Sequence, residues 1–154
     1  MAKSSPVAKI PPRRKRDPLT RSQMMARIRS KNTKPEVLTR SAVHALGLRF
    51  RNHVEGLPGK PDLANKARKW AIFVHGCFWH SHGGCRLASS PKSNTGYWTE
   101  KLGRNRARDA EKISALRAQG LRVLVVWECE VRNGQLRDAL GSFFGKRPPW
   151  RKDL

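Results

Sequence analysis

Acidic residues are scarce in this chain. It carries 11 Asp and Glu against 33 Lys and Arg, a formal charge of +22 over 154 residues. A chain with this balance repels itself unless it meets a polyanion, so nucleic acid is the first partner to consider. Ribosomal and histone-like proteins share the balance, so charge gives a partner class and no chemistry. Long apolar runs are missing too. No stretch reaches the about 18 residues of a membrane span, and no apolar segment follows the basic N-terminus as a signal peptide would require. The expectation is a cytoplasmic protein with no membrane partner. Cysteine is limited to three residues, and an odd count in a reducing compartment favours thiolate ligands over disulfides. Aromatics make up only 7% of the chain, but five of them are Trp and most flank charged segments. No internal repeat is visible, and the length suits one domain with a tail.

Residues 1–19 hold Pro6, Pro11, Pro12, Pro18 and the run Arg13-Arg14-Lys15-Arg16. This segment has too little apolar surface to fold alone and reads as a disordered basic arm. It is either a solvated tail or an arm that orders along DNA. Residues 20–150 read as the folded domain. A short helix is expected over Ser22–Arg29. A second starts at Thr33, with Thr33 as N-cap, Pro35 in the first turn and Glu36 three residues past the cap, and it stops at Gly47. Glu36 therefore has a structural explanation as the carboxylate of a capping box.

Strands are expected over Leu48–Asn52, Lys60–Ala64, Trp70–Val74 and Leu121–Trp127, with a turn at Gly56–Gly59 between the first two. Ser81–Asn94 reads as a loop, Thr99–Gln119 as a long helix and Gln135–Phe144 as a last amphipathic helix. The economical architecture is α/β, a mixed central sheet flanked by helices on both faces.

Trp70–Cys85 (WAIFVHGCFWHSHGGC) concentrates the chemistry. Cys77, His82 and Cys85 form C-x4-H-x2-C, and Cys129 lies just past the strand Leu121–Trp127. If that strand runs parallel beside Trp70–Val74, Cys77 and Cys129 emerge at the same end of the sheet. Three sulfurs and one nitrogen would then close a tetrahedral structural zinc site that fixes the following loop. His82 is preferred to His80 as fourth ligand, because side chains alternate along an extended segment. The plainer alternative is three unrelated buried thiols.

Phosphodiester cleavage needs a hard cation on carboxylate, a base for water and positive groups for phosphate. Asp62 follows Pro61 on one arm of the expected hairpin, with Val74 and His75 near the end of the next strand. This is the layout of PD-(D/E)xK nucleases, but no Glu-x-Lys follows, so histidines such as His75 and His80 would share that work. On the long helix, Leu102, Asp109, Ile113 and Leu116 fall on one face, which places Asp109 toward the core. A carboxylate there suits a histidine partner, whose tautomer it would fix. Asn105 lies one turn earlier on the same face. Phe78-Trp79 and Tyr97-Trp98 sit beside cations, as base stacking or insertion requires; a small satellite core is the alternative.

The segments LPGKPDL, AIFVHGCFWHSH, PKSNTGYWTEKLGRNRARD and GLRVLVVWECE resemble the very-short-patch (Vsr) mismatch-repair endonucleases of bacteria. The resemblance runs from about Thr20 to Trp150. It implies a PD-(D/E)xK-like nuclease fold and an enzyme of the bacterial cytoplasm, associated with the nucleoid. It also implies a nick 5′ of the thymine in a T:G mismatch left by deaminated 5-methylcytosine, with catalytic magnesium and structural zinc.

By that resemblance Asp62 and the Val74 carbonyl hold magnesium. His75 and His80 are the active-site histidines, with His80 the base for water and Asp109 orienting it, and Glu36 belongs to the active site. Cys77, His82, Cys85 and Cys129 match the zinc ligands. Phe78, Trp79 and Trp98 match the aromatics that wedge into DNA, and Asn105 is placed with the DNA contacts. Two departures stand out: Val74 where the family has Thr, and Gly83-Gly84 where it has one residue. The partner is double-stranded DNA with a T:G mismatch, read by a monomer, with mismatch-repair proteins as a further class of partner. A non-catalytic zinc-stabilised DNA-binding protein and a restriction-type nicking endonuclease are the competing readings.

Overall fold

Helix α1, Lys34–Ala45, begins as its sequence requires. Thr33 sits in extended backbone and its hydroxyl accepts from the Glu36 N–H, with Pro35 in the first turn. Its far end closes at Gly47, whose φ of +73° is a left-handed position that glycine adopts without strain. The computed structural model describes Thr20, residues 31–89 and residues 91–145. The chain divides into two units, Met1–Ser30 and Lys31–Leu154. The basic arm of residues 1–19 and the helix expected over Ser22–Arg29 lie outside the described residues, as does the chain beyond Gly145.

Four strands form one sheet in the order β1-β2-β3-β4. They are β1 (Arg51–Asn52), β2 (Leu63–Asn65), β3 (Trp70–His75) and β4 (Arg122–Trp127). The first three are antiparallel neighbours, while β3 and β4 run parallel, Val74 beside Val126 and His75 beside Trp127. The crossover between them holds a 3-10 turn, Arg86–Ala88, and the long helix α2, Thr95–Ala118. After β4 come α3 (Glu128–Arg132) and α4 (Leu136–Phe144).

Alternation along β3 feeds two cores. Trp70 and Ile72 pack with Val43, Leu48, Leu63, Val126, Leu140 and Phe144, on the side of α1 and α4. Ala71 and Phe73 pack with Val54, Leu57, Ala64, Leu116 and Leu121, on the side of α2. The mixed sheet with helices on both faces is therefore the architecture. Among the described residues no helix is long and apolar enough to cross a membrane.

Three boundaries and one element differ from expectation. The first strand is reduced to Arg51–Asn52, and the second, expected over Lys60–Ala64, to Leu63–Asn65. The long helix starts four residues early, at Thr95, behind an Asn94 in left-handed backbone that makes no side-chain cap; Gly96 in its first turn hides that start. Helix α3 was not expected at all. Its first turn is held by the Glu130 carboxylate, which accepts the Trp127 N–H at 2.7 Å.

Candidate active site and metal centre

The parallel pairing of β3 and β4 brings both strands out at one end of the sheet, and the chemistry gathers there. Cys77 follows β3 and Cys129 opens α3 after β4. The Cys129 N–H donates to Cys77 Sγ at 3.4 Å. His82 Nδ1 lies 3.6 Å from Cys77 Sγ and 3.3 Å from Cys129 Sγ. With Cys85, these ligand atoms all fall within 4.8 Å of one another, a group able to hold a metal ion. A tetrahedron with usual thiolate and imidazole bond lengths has an S···N edge of about 3.6 Å, so the spacing fits a four-coordinate ion. The His82 ring also stacks on Trp127, centroids 4.1 Å apart.

Burial pushes the Cys77 thiol up to about 12 and raises Cys129, whereas Cys85 is lowered, chiefly by the Leu87 N–H. Burial favours the neutral forms of Cys77 and Cys129; a divalent cation reverses such a preference by deprotonating its thiol ligands. Gly83 and Gly84 lie in open space: a Cβ added at either would meet nothing within 4 Å, and Gly84 takes a left-handed φ of +69°.

His80 and His82 do go to different groups, but not by strand alternation. Residues 77–81 form a tight turn in which the His80 N–H donates to the Gly76 carbonyl and the His82 N–H to the Cys77 carbonyl. Ser81 is left-handed at φ 50°. That turn swings His80 toward α2, where its Nδ1 lies 2.5 Å from Asp109 Oδ2. The His75 ring stacks on His80 with centroids 3.8 Å apart and planes within 8°. His75, His80 and Asp109 form a second close group. His75 is drawn down to about 4, first by burial and then by His80, with Lys112 adding and Asp109 opposing. It is therefore neutral near pH 7, while the short contact to Asp109 fixes the tautomer of His80 with its proton on Nδ1.

Asp62 lies between β2 and its turn, and its Oδ2 accepts the Val74 N–H at 2.7 Å. In an extended strand the N–H and C=O of one residue face the same edge, so the Val74 carbonyl faces Asp62 as well. Pro61 beside it has no N–H to satisfy that carbonyl. Carboxylate and carbonyl oxygens together suit a hard divalent cation. Burial raises the Asp62 carboxyl above the usual range, opposed by the Val74 N–H; Glu36 raises it further.

Glu36 is buried at 5% exposure and does hold the helix start, its two oxygens accepting from the Asn32 N–H and the Thr33 hydroxyl, each at 2.9 Å. Between Glu36 and Asp62 stands His53, a residue the sequence reading passed over. Its Nδ1 is 3.8 Å from Asp62 and its Nε2 3.9 Å from Glu36. The available signal was the hairpin itself, which sets the residue after Asn52 across from the one before Leu63.

The aromatics cluster at the mouth. Phe78 lies 5.0 Å from Trp79 and 5.4 Å from Trp98 between ring centroids. Phe78 and Trp79 are half-buried, Trp98 is buried beneath them and Tyr97 is 46% exposed. Lys101 Nζ sits 5.3–5.8 Å from the rings of Trp79, Tyr97 and Trp98. Asn105 donates from its amide to the Trp79 carbonyl at 3.0 Å and accepts from Arg108.

Residues 14–86 match the family model described as DNA mismatch endonuclease Vsr. The chain is 52% identical over 114 residues to the Type II nicking enzyme V.XorIIP of Xanthomonas oryzae pv. oryzae, covering 74% of this chain and 83% of that relative. It is 44% identical over 113 residues to the Type II nicking enzyme V.NmeAIP of Neisseria meningitidis, covering 73% and 80%. To the DNA mismatch endonuclease Vsr of Escherichia coli it is 43% identical over 116 residues, covering 75% and 74%. On the length and level of these identities, the chain belongs to the Vsr family of DNA endonucleases.

Proposed function

We propose that this protein nicks one strand of duplex DNA 5′ of the thymine in a T:G mismatch, on a PD-(D/E)xK-like sheet with a structural zinc. The single observation that carries the chemistry is the His80–Asp109 contact at 2.5 Å, with His75 stacked on His80. Nothing about binding alone calls for that arrangement, which is why a non-catalytic zinc-stabilised binder is the weaker reading.

Asp109 keeps the His80 proton on Nδ1, leaving Nε2 to take a proton from the attacking water. His75, neutral in its buried place, offers an N–H to the leaving oxygen. Asp62 and the Val74 carbonyl are the ligands for magnesium, which supplies Lewis-acid charge to the scissile phosphate when bound. Glu36 adds a second carboxylate. A main-chain ligand is indifferent to the side chain, so Val serves at position 74 as well as Thr would. Cys77, His82, Cys85 and Cys129 hold zinc, and a closed set of four leaves no place for water, so this ion is structural. Phe78 and Trp79, resting on Trp98, enter the base stack, and Asn105 fixes Trp79 from behind. The basic arm of residues 1–19 extends the DNA contact, and residues 20–150 supply the nuclease. One nick needs only a monomer. The reading sets the protein in the bacterial cytoplasm at the nucleoid, where mismatch-repair proteins are further candidate partners.

A second reading has one observation in its favour. The relatives at 52% and 44% identity are named Type II nicking enzymes, so a nick in the company of a restriction system fits as well. A labelled T:G duplex in a panel of sequence contexts, set against fully paired duplexes, separates the two. Mismatch-dependent nicking that needs magnesium and vanishes in Asp62→Ala, with DNA binding kept, is expected. Equal cleavage of paired duplexes would turn the reading to the second, and no nick with any divalent ion would favour the plain DNA-binding protein.

A further inference from the structure

His53 has no part in the chemistry above, yet it occupies the space between the two carboxylates on the β1–β2 side of the site. Its backbone N–H donates to the Asp62 carbonyl at 3.1 Å. It takes a left-handed φ of 45°, uncommon for non-glycine residues although His is among the types that adopt it more readily. This twist turns the imidazole inward, Nδ1 toward Asp62 Oδ1 at 3.8 Å and Nε2 toward Glu36 Oε2 at 3.9 Å. The Nε2 atom is buried and has no hydrogen-bond partner. Buried polar atoms are ordinarily satisfied, and the exceptions call for an explanation.

We propose that His53 is a nitrogen ligand of the cation held by Asp62, with Glu36 orienting it from behind. The inference rests on the assignment of Asp62 as the cation carboxylate. Two donors to one divalent ion stand about 3.0–3.5 Å apart when bond lengths are near 2.1 Å, so Nδ1 and Oδ1, at 3.8 Å, need to approach by less than about 1 Å, within the reach of side-chain rotation. With Nδ1 on the ion, the proton lies on Nε2 and points at Glu36. A histidine ligand whose second nitrogen donates to a carboxylate is the usual arrangement around protein-bound metals. Glu36 is itself anchored by Asn32 and Thr33, so the start of α1 sets the position of the imidazole. The missing Glu-x-Lys of β3 is thereby offset by the residue that follows β1. An imidazole among oxygen donors also shifts preference toward Mn2+ and Co2+ relative to Mg2+.

The test uses the zinc-loaded full chain without DNA, titrated with Mn2+ and followed by electron paramagnetic resonance. Wild type should bind Mn2+ and show nitrogen modulation in the pulsed spectrum. His53→Gln should lose that modulation and bind Mn2+ about 10- to 100-fold more weakly, with zinc content and circular dichroism unchanged; His53→Asn serves if the Gln variant does not fold. Glu36→Gln should keep the modulation with weaker binding. Absence of nitrogen modulation in wild type, or its persistence in His53→Gln at any affinity, overturns the proposal while leaving Asp62 in place. Wild-type Mn2+ affinity in Asp62→Asn overturns the Asp62 assignment and this proposal with it.

Discussion

His80 and Asp109, 29 positions apart in sequence, meet with Nδ1 2.5 Å from Oδ2. Asp109→Asn keeps the shape of the side chain but allows the amide to present its N–H, so the His80 proton moves to the wrong nitrogen. Single-turnover nicking of a T:G duplex should fall about 10²- to 10⁴-fold, with duplex affinity unchanged. A loss of affinity without loss of rate would remove Asp109 from the hydrolytic step.

The four-residue metal group ties the ends of β3 and β4 to the loop after His82. Elemental analysis should find about one zinc per chain. Chelation, or Cys129→Ser, should lower the melting temperature and open Ser81–Ser89 to proteolysis before the rest of the domain. Unchanged melting after complete zinc removal would deny the group its structural role.

His75 gives a pH dependence with a definite sign. Its folded value, about 4, lies below the ordinary 6.5. Between those values the unfolded chain takes up a proton that the folded chain refuses, so stability falls as pH drops from about 6.5 toward 4, by up to about 1.4 kcal/mol per pH unit. Urea midpoints should show this slope in wild type and a shallower one in His75→Gln. Equal slopes would place the effect on other groups.

Trp79 leans on Phe78 and Trp98 and lies near the Lys101 ammonium. Trp79→Ala should weaken mismatched-duplex binding by about 1–3 kcal/mol, read as fluorescence anisotropy, with a smaller change on paired duplex. A side chain larger than glycine at Gly76 should have a related effect, since its Cβ would press within 3.3 Å of the Trp79 ring.

Gly59 takes φ +76° directly under Lys112, and an added Cβ would come within 2.7 Å of that side chain. Gly59→Ala should cost about 1–2 kcal/mol, seen as a lower urea midpoint at constant slope. Lys112→Ala in the same background should recover only part of the cost, because the Cβ of residue 112 stays 3.0 Å away and the backbone strain persists.

Features set by neighbours in sequence were legible in advance. The start of α1 is one, since Thr33, Pro35 and Glu36 lie within a single turn. The inward face of α2 is another: Leu102 and Leu116 are buried and Asp109 turns in with them. The parallel pairing of β3 and β4 entered only as a condition for gathering the cysteines, and the structure meets that condition. What stayed hidden depends on backbone the sequence does not advertise. The left-handed turn at Ser81 separates His80 from His82, and the left-handed His53 puts an imidazole between two acids. The first turn of α2 follows a capless Asn94 and carries Gly96, so no local signal marks it.

Cys77 and Cys129 touch across 52 positions of chain, and β4, the strand that leads into the second of them, is the last in the sheet. Contacts of such separation form late in folding. A growing polypeptide would expose its positive charge to nucleic acid long before β4 leaves the ribosome. Until that strand docks beside β3, the end of the sheet that presents His75 and His80 lacks its neighbour. On the proposed mechanism, the nascent chain can bind nucleic acid before it can cut it, and cleavage waits for the completed sheet.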